Sequence, residues 1–269
     1  MPLVCFASPK GGVGKTTLAA NVAGNIGQTG RRVVALDLDP QNTLRLHFGM
    51  HLHDGSGFTH RLLQRPDWRA CLQSAGPGLS LLPYGATNLS DAMQLAAAVK
   101  AKPSILGEPV RDMLADPDIL LVVDTSPGPS PFLAAIQPLI DLLIAVLLVD
   151  ATSTSLIPAI DSGATFGKQG PDQAIAFVLN QYDPRTRLGA AIAQGASRHL
   201  GTRLVGMVHR DEHVAEAIAA QKLLATYAPG SQATHDLTGI SEAALSRLPA
   251  RKAPARSRTW TSWLSRHSR

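Results

Sequence analysis

The segment Lys10-Gly11-Gly12-Val13-Gly14-Lys15-Thr16-Thr17 follows directly on the apolar run Leu3-Val4-Cys5-Phe6-Ala7. An apolar strand, a glycine-rich turn and a helix in that order constrain the fold of this chain more than any other feature. A turn that wraps a polyphosphate points several backbone N–H groups inward, which requires residues without Cβ where the backbone nears the anion. Gly11, Gly12 and Gly14 supply them. Lys15 is placed to reach the β- and γ-phosphates, Thr16 to offer its hydroxyl to Mg2+, and the helix opening near Lys15 to turn its positive end to the anion. The pattern G-x-x-x-x-G-K-[ST] needs glycine at position 9, where the chain has Pro9. What fits is K-G-G-x-G-K-[ST], with Lys10 as an additional cation.

A chain of 269 residues with 45% hydrophobic and 17% charged residues is an ordinary globular protein, and one α/β domain accounts for its length. Cys5 and Cys71 cannot build a disulfide framework, and Cys5 lies in a strand expected to be buried, so a reducing compartment is expected. No basic leader precedes the first strand, which points to the cytoplasm. The longest apolar stretch, 139–149, is interrupted by Asp141 and preceded by Pro138, as suits a buried strand and not a membrane span.

The chain carries 25 Lys and Arg against 20 Asp and Glu, but Arg247, Arg251, Lys252, Arg256, Arg258, Arg266 and Arg269 crowd its end. Removing residues 247–269, which contain no acid, leaves 18 bases against 20 acids. The body therefore offers no broad cationic surface for a phosphate backbone, and DNA binding is not expected of it. The sequence divides into a globular unit over 1–246 and a basic tail over 247–269. The stretch 249–259, rich in Pro, Ala, Arg and Ser, reads as a linker.

Apolar runs at 3–8, 32–37, 79–82, 119–123, 142–149, 174–180 and 203–208 read as strands. Helical stretches at 15–28, 88–100, 130–138, 152–167 and 187–200 separate them. Such alternation predicts an α/β fold with one doubly wound, mostly parallel sheet covered by helices on both faces, whose ligands bind beyond the carboxyl ends of the strands.

Two further strands end in acids. Asp37 and Asp39, in Val33-Val34-Ala35-Leu36-Asp37-Leu38-Asp39-Pro40-Gln41, fall on one side of the second strand by alternation, where a γ-phosphate and its metal would lie. Taken alone, they also read as a helix cap and a solvated turn. Ile119-Leu120-Leu121-Val122-Val123-Asp124 is a buried strand followed by the turn Thr125-Ser126-Pro127-Gly128. Asn180 ends the run Phe177-Val178-Leu179; its amide both donates and accepts, as the edge of adenine requires, and equally suits a cap. His47, His51 and His53 have no cysteine or acid at zinc spacing and read as a solvated or partner-facing loop.

Taken together, the K-G-G-x-G-K-[ST], D-x-D-P-Q and hhhhD-x-x-P-G elements resemble the ParA/MinD family of P-loop ATPases. That resemblance implies an ATP-dependent homodimer in which Lys10 reaches across a two-fold axis to the phosphates held by the other copy. It implies ATP and Mg2+ as cofactors, bound by Lys10, Gly11, Gly12, Val13, Gly14, Lys15, Thr16 and Thr17. Asp39 would orient or activate the attacking water, with Lys10 and Lys15 completing the catalytic set. Thr16, Asp37 and Asp124 would serve the metal and its water shell, and the Gly128 N–H would sense the γ-phosphate. Asn180 would read adenine. Asp211, the one residue of 208–212 that matches the family's P-x-D loop, would face the base or else cap the next helix.

Within that family the continuation Asn42-Thr43-Leu44-Arg45-Leu46-His47-Phe48-Gly49, the segment around Trp68 and the run Leu79-Ser80-Leu81-Leu82-Pro83-Tyr84-Gly85 are similar to the cellulose-biosynthesis branch, BcsQ. The resemblance implies a cytoplasmic accessory of cellulose synthase and secretion proteins at the inner membrane. A partition ATPase shares every nucleotide motif; an iron-protein type of ATPase would need paired cluster cysteines, which Cys5 and Cys71 do not provide. In the tail, Trp260, Trp263 and Leu264 would share one helical face among arginines and could anchor on anionic lipid, or the tail is a disordered basic end.

Overall fold

Alternating strands and helices assemble into a single sheet whose central strands carry apolar residues on both faces. The computed structural model describes residues 2–51, 54–63, 67–168, 170 and 173–248. Its strands are β1 (Leu3–Ala7), β2 (Arg32–Leu38), β3 (Gln73–Gly76), β4 (Leu79–Leu82), β5 (Ile119–Thr125), β6 (Leu142–Leu148), β7 (Ala174–Tyr182) and β8 (Leu204–His209). They lie in the order β3-β4-β2-β5-β1-β6-β7-β8. All neighbours are parallel except β3, which runs antiparallel to β4.

Every residue of β1 and β5 is buried, as a strand flanked by others and covered on both sides requires. Val4, Phe6, Val33, Ala35, Leu120 and Val122 point to the face covered by α1 (Lys15–Gln28) and by the helices Glu212–Ala219 and Gln232–Ser246. Leu3, Cys5, Leu36, Leu121 and Val123 point to the opposite face, under Leu89–Ala101, Ser104–Met113 and Pro131–Ile136. The sheet order turns at β1, the strand that feeds the glycine-rich turn, so the crevice beyond its carboxyl end is the natural ligand site.

Three local features differ from the sequence expectation. The edge strand β3 has the sequence QSAG, with no β-branched or large apolar residue to mark it. The helix Ser104–Met113 contains Pro109, which hides its periodicity. The stretch expected as one helix over 152–167 breaks into Ala151–Thr154 and Ile157–Asp161, with Gly163 and Gly167 at φ 77° and 83° ending it.

Arg247, assigned to the basic tail, belongs to the body: its guanidinium donates to the carbonyls of Ala243 at 2.9 Å and Thr202 at 2.8 Å. The readings placed on 249–269, including Trp260, Trp263 and Leu264, fall outside the described residues. Among the described residues no helix is long and apolar enough to cross a membrane.

His47 also departs from expectation. It is only 4% exposed, within the 3-10 helix Leu44–Phe48, and burial lowers its pKa from an ordinary 6.5 to about 4. A folded pKa below the unfolded one means that the stabilisation is complete above about 6.5 and is lost as pH falls toward 4, by about 3 kcal/mol in all. Urea denaturation at pH 7 and pH 4.5 is therefore expected to show a steeper acid loss in the wild type than in His47→Gln. Parallel losses in the two chains would refute the buried neutral imidazole.

Candidate functional site

β1 delivers the chain to the turn, and α1 begins at Lys15 with Gly14 as its N-cap. Gly14 has φ 84°, and a Cβ there would stand 2.3 Å from the Asn180 Nδ2, so both conformation and space require glycine. Gly12, at φ 73°, is required by conformation alone. Gly11 meets neither condition, since a Cβ there would lie 3.8 Å from Pro127 Cγ. No side chain caps the start of α1, so its first N–H groups are left to a ligand.

The register between β2 and β5 sets Asp37 beside Asp124, both fully buried on the α1 face. Lys15 Nζ forms an ion pair with Asp124 Oδ1, and Thr16 Oγ1 donates to Asp124 Oδ2 at 2.7 Å. Asp37 accepts from the Asp39 N–H at 2.9 Å and from the Leu44 N–H at 3.2 Å. The turn-capping reading of Asp37 is thus present in the geometry, beside its proximity to Asp124. Asp39, 6% exposed, accepts from the Gln41 N–H at 3.0 Å and lines the cleft.

Burial raises the Asp37 carboxyl well above its ordinary range, and the Asp124 charge adds to the rise. Burial also raises Asp124, against the opposing pull of Lys15 and Thr16. Lys15 pairs with Asp124 alone among the described residues, so three buried carboxyls crowd one ammonium, and a further cation would favour their ionised forms. Among the described residues no group of three or more His, Cys, Asp or Glu is arranged to hold a metal by itself. A Mg2+ bound here would be held through Thr16, phosphate oxygens and water, which is how this ion commonly binds. The donor set fits it.

The cleft over this floor measures about 700 Å3, within the usual range for a small-molecule site. Gly11, Gly12, Val13, Gly14, Lys15, Thr16, Thr17 and Asp39 line it, together with Asn180, Gln181, His209 and Asp211. The 7% exposed Asn180 donates from Nδ2 to the Val13 carbonyl at 2.8 Å, tying β7 to the glycine-rich turn. Asp211 caps the helix Glu212–Ala219, accepting from the His213 N–H at 3.0 Å, and also accepts from the Ala233 N–H at 3.3 Å. Burial would raise its carboxyl, but these hydrogen bonds and the His213 ring outweigh it and hold it below the ordinary range.

Two expected residues sit differently. The Gly128 N–H, anticipated as a γ-phosphate sensor, donates to the Ser8 carbonyl at 2.8 Å. Lys10 does not line the cleft of its own chain. Its amine donates to Thr152 Oγ1 at 2.8 Å and lies 3.8 Å from Asp150 Oδ2. Neither Cys5, which is buried, nor Cys71, which is half-buried, is in a disulfide. His209 and Gln181 were missed by the sequence reading; the position of His209 at the end of a strand, two residues before Asp211, was the available signal.

A family model for the cellulose biosynthesis protein BcsQ matches residues 1–245. The chain is 27% identical over 250 residues to the chromosome-partitioning ATPase Soj of Thermus thermophilus, covering 91% of this chain and 96% of that one. It is 25% identical over 251 residues to the cellulose biosynthesis protein BcsQ of Salmonella typhimurium, covering 90% and 93%. Among solved structures, it superposes on the septum site-determining protein MinD complexed with Mg-ADP from Pyrococcus horikoshii with a TM-score of 0.73 at 20% identity, covering 90% and 94%. A ParA family ATPase from Chlorobium tepidum gives 0.71 at 19% identity, covering 90% and 97%. The same sheet and layers are therefore found in these proteins.

Proposed function

Because the chain belongs to the BcsQ family of ParA/MinD-type P-loop ATPases, we propose that it is an ATP-dependent, dimerising switch and an accessory of bacterial cellulose synthesis and secretion at the inner membrane. The amides of 11–14, Lys15, Thr16 and Thr17 would hold the triphosphate. Thr16 would ligate Mg2+, and Asp124 and Asp37 would hold its water shell. When bound, the metal supplies neutralisation of charge at the phosphates. Asp39 would position the attacking water, while Asn180 and Asp211 face the base.

One observation carries the dimer: Lys10 sits in the phosphate turn yet outside the lining of its own cleft, with its amine on the Thr152 hydroxyl. A lysine so placed, 37% exposed, would be available to a triphosphate held by another copy. Loss of the γ-phosphate would then loosen the pair, through the differential affinity of its two states. Sedimentation of the full chain with Mg2+ is expected to give a dimer with ATP and a monomer with ADP. A monomer under both conditions would refute the switch.

The 27% identity to Soj favours a second reading, a partition ATPase. The 18 bases against 20 acids of residues 1–246 weigh against it. ATP-dependent, salt-sensitive retention of nonspecific DNA would decide for partition.

A further inference from the structure

The lining of the cleft holds a second group suited to reading a base. His209 closes β8 in register with Tyr182 of β7, and the two rings lie 5.2 Å apart. The His209 backbone N–H donates to Asp236 Oδ2 at 2.8 Å, and Nδ1 of its ring lies 2.8 Å from the same oxygen. The other oxygen of Asp236 accepts from Gln232 Nε2 at 2.9 Å. A carboxylate accepts only, so Nδ1 must carry the proton. When Nδ1 alone carries a proton, the remaining ring nitrogen, Nε2, is an acceptor.

Asn180 is constrained in a similar way. Its amide nitrogen donates to the Val13 carbonyl, which leaves Oδ1 as its accepting atom on the same cleft. Both residues therefore line the one cleft, and each has an atom that can accept. The adenine N6 amine carries two hydrogens to donate. Guanine has a carbonyl oxygen at that position, and its lone pairs would oppose those of both acceptors.

We propose that His209, held in one tautomer by Asp236, is a specificity-determining residue that selects adenine over guanine by accepting, with Asn180, from the exocyclic amine. This rests on the nucleotide-binding reading above and extends it to a residue outside the motifs. Stacking on Tyr182 is the competing structural role, and two substitutions separate the roles. His209→Phe keeps a ring against Tyr182 but has no acceptor, whereas His209→Gln keeps an acceptor and loses the ring.

The full chain with Mg2+ is titrated with fluorescent N-methylanthraniloyl derivatives of ATP and GTP at pH 8. His209→Phe is expected to lower the ATP-to-GTP preference about tenfold, the scale for leaving one hydrogen bond of the bound base unmade. His209→Gln is expected to retain most of the preference. Parallel loss of both affinities in His209→Phe, or an unchanged ratio, would overturn the assignment while leaving ATP binding at the phosphate turn intact. A wild type that binds neither nucleotide would overturn this proposal and the underlying reading together.

Discussion

Lys10→Ala loaded with Mg2+ and ATP is expected to sediment as a monomer at concentrations where the wild type is a dimer, while its affinity for ATP changes little. In the proposed two-fold dimer each Lys10 would serve the triphosphate of the other copy, so one substitution would delete the contact twice. A hydrogen bond to a charged group contributes about 1.5–3 kcal/mol. Two of them amount to about 3–6 kcal/mol, a weakening of the dimer by a factor of about one hundred to ten thousand. The folded monomer loses far less. The ion pair between Lys10 and Asp150 spans 3.8 Å between side chains 37% and 40% exposed, and such surface pairs contribute at most about 1 kcal/mol. An ATP-dependent dimer of Lys10→Ala as tight as that of the wild type would show that this amine does not act between copies.

The parts of the site that were legible in the sequence are those whose chemistry is local. A glycine turn after an apolar strand fixes the start of α1 at Lys15, and two strands ending in acids place Asp37 and Asp124 at the same level once the strands pair. The pairing itself, Asp37 beside Asp124, follows from register, which no short motif encodes. The resting partners were equally hidden. Nothing in the order of residues says that Lys15 and Thr16 both bind Asp124, or that the Gly128 N–H is taken up by Ser8. His47 was misread because a polar residue in a polar stretch reads as solvated, yet the 3-10 turn carries it inward. His209 was passed over because its meaning comes from Asp236, 27 residues later.

The resting geometry also bears on how the site responds to a ligand. Lys15, 5% exposed, neutralises Asp124, while the buried Asp37 has two backbone N–H groups and no cation within its hydrogen bonds. Were Lys15 to turn from Asp124 toward a phosphate, the carboxylate would be left as a buried charge without its ion-pair partner. A divalent cation arriving with the phosphate removes the penalty. On the proposed reading, nucleotide and Mg2+ would then favour one another at the floor of the site. Titrating ATP with and without Mg2+ is a direct readout of this coupling.

Asp39→Asn is expected to lower ATP turnover by at least about one hundredfold, the scale of a positioned general base, and to leave the ATP dimer standing. The substitution is chosen from the geometry. Asn retains a carbonyl oxygen to accept from the Gln41 N–H, so the turn after β2 keeps its 3.0 Å hydrogen bond while the negative charge is removed. The same exchange at Asp37 would not be clean: both of its oxygens accept backbone N–H groups, from Asp39 and Leu44, and an amide would set a donor against one of them. Stability would fall there for reasons unrelated to the metal. At Asp39 the fold is preserved and the chemistry isolated, so single-turnover phosphate release measures the carboxylate alone. With hydrolysis slowed and the cradle untouched, the ATP-bound state should accumulate, and the dimer of Asp39→Asn should outlast that of the wild type in sedimentation. Turnover at the wild-type rate would assign the positioning of water to another group on the floor of this cleft.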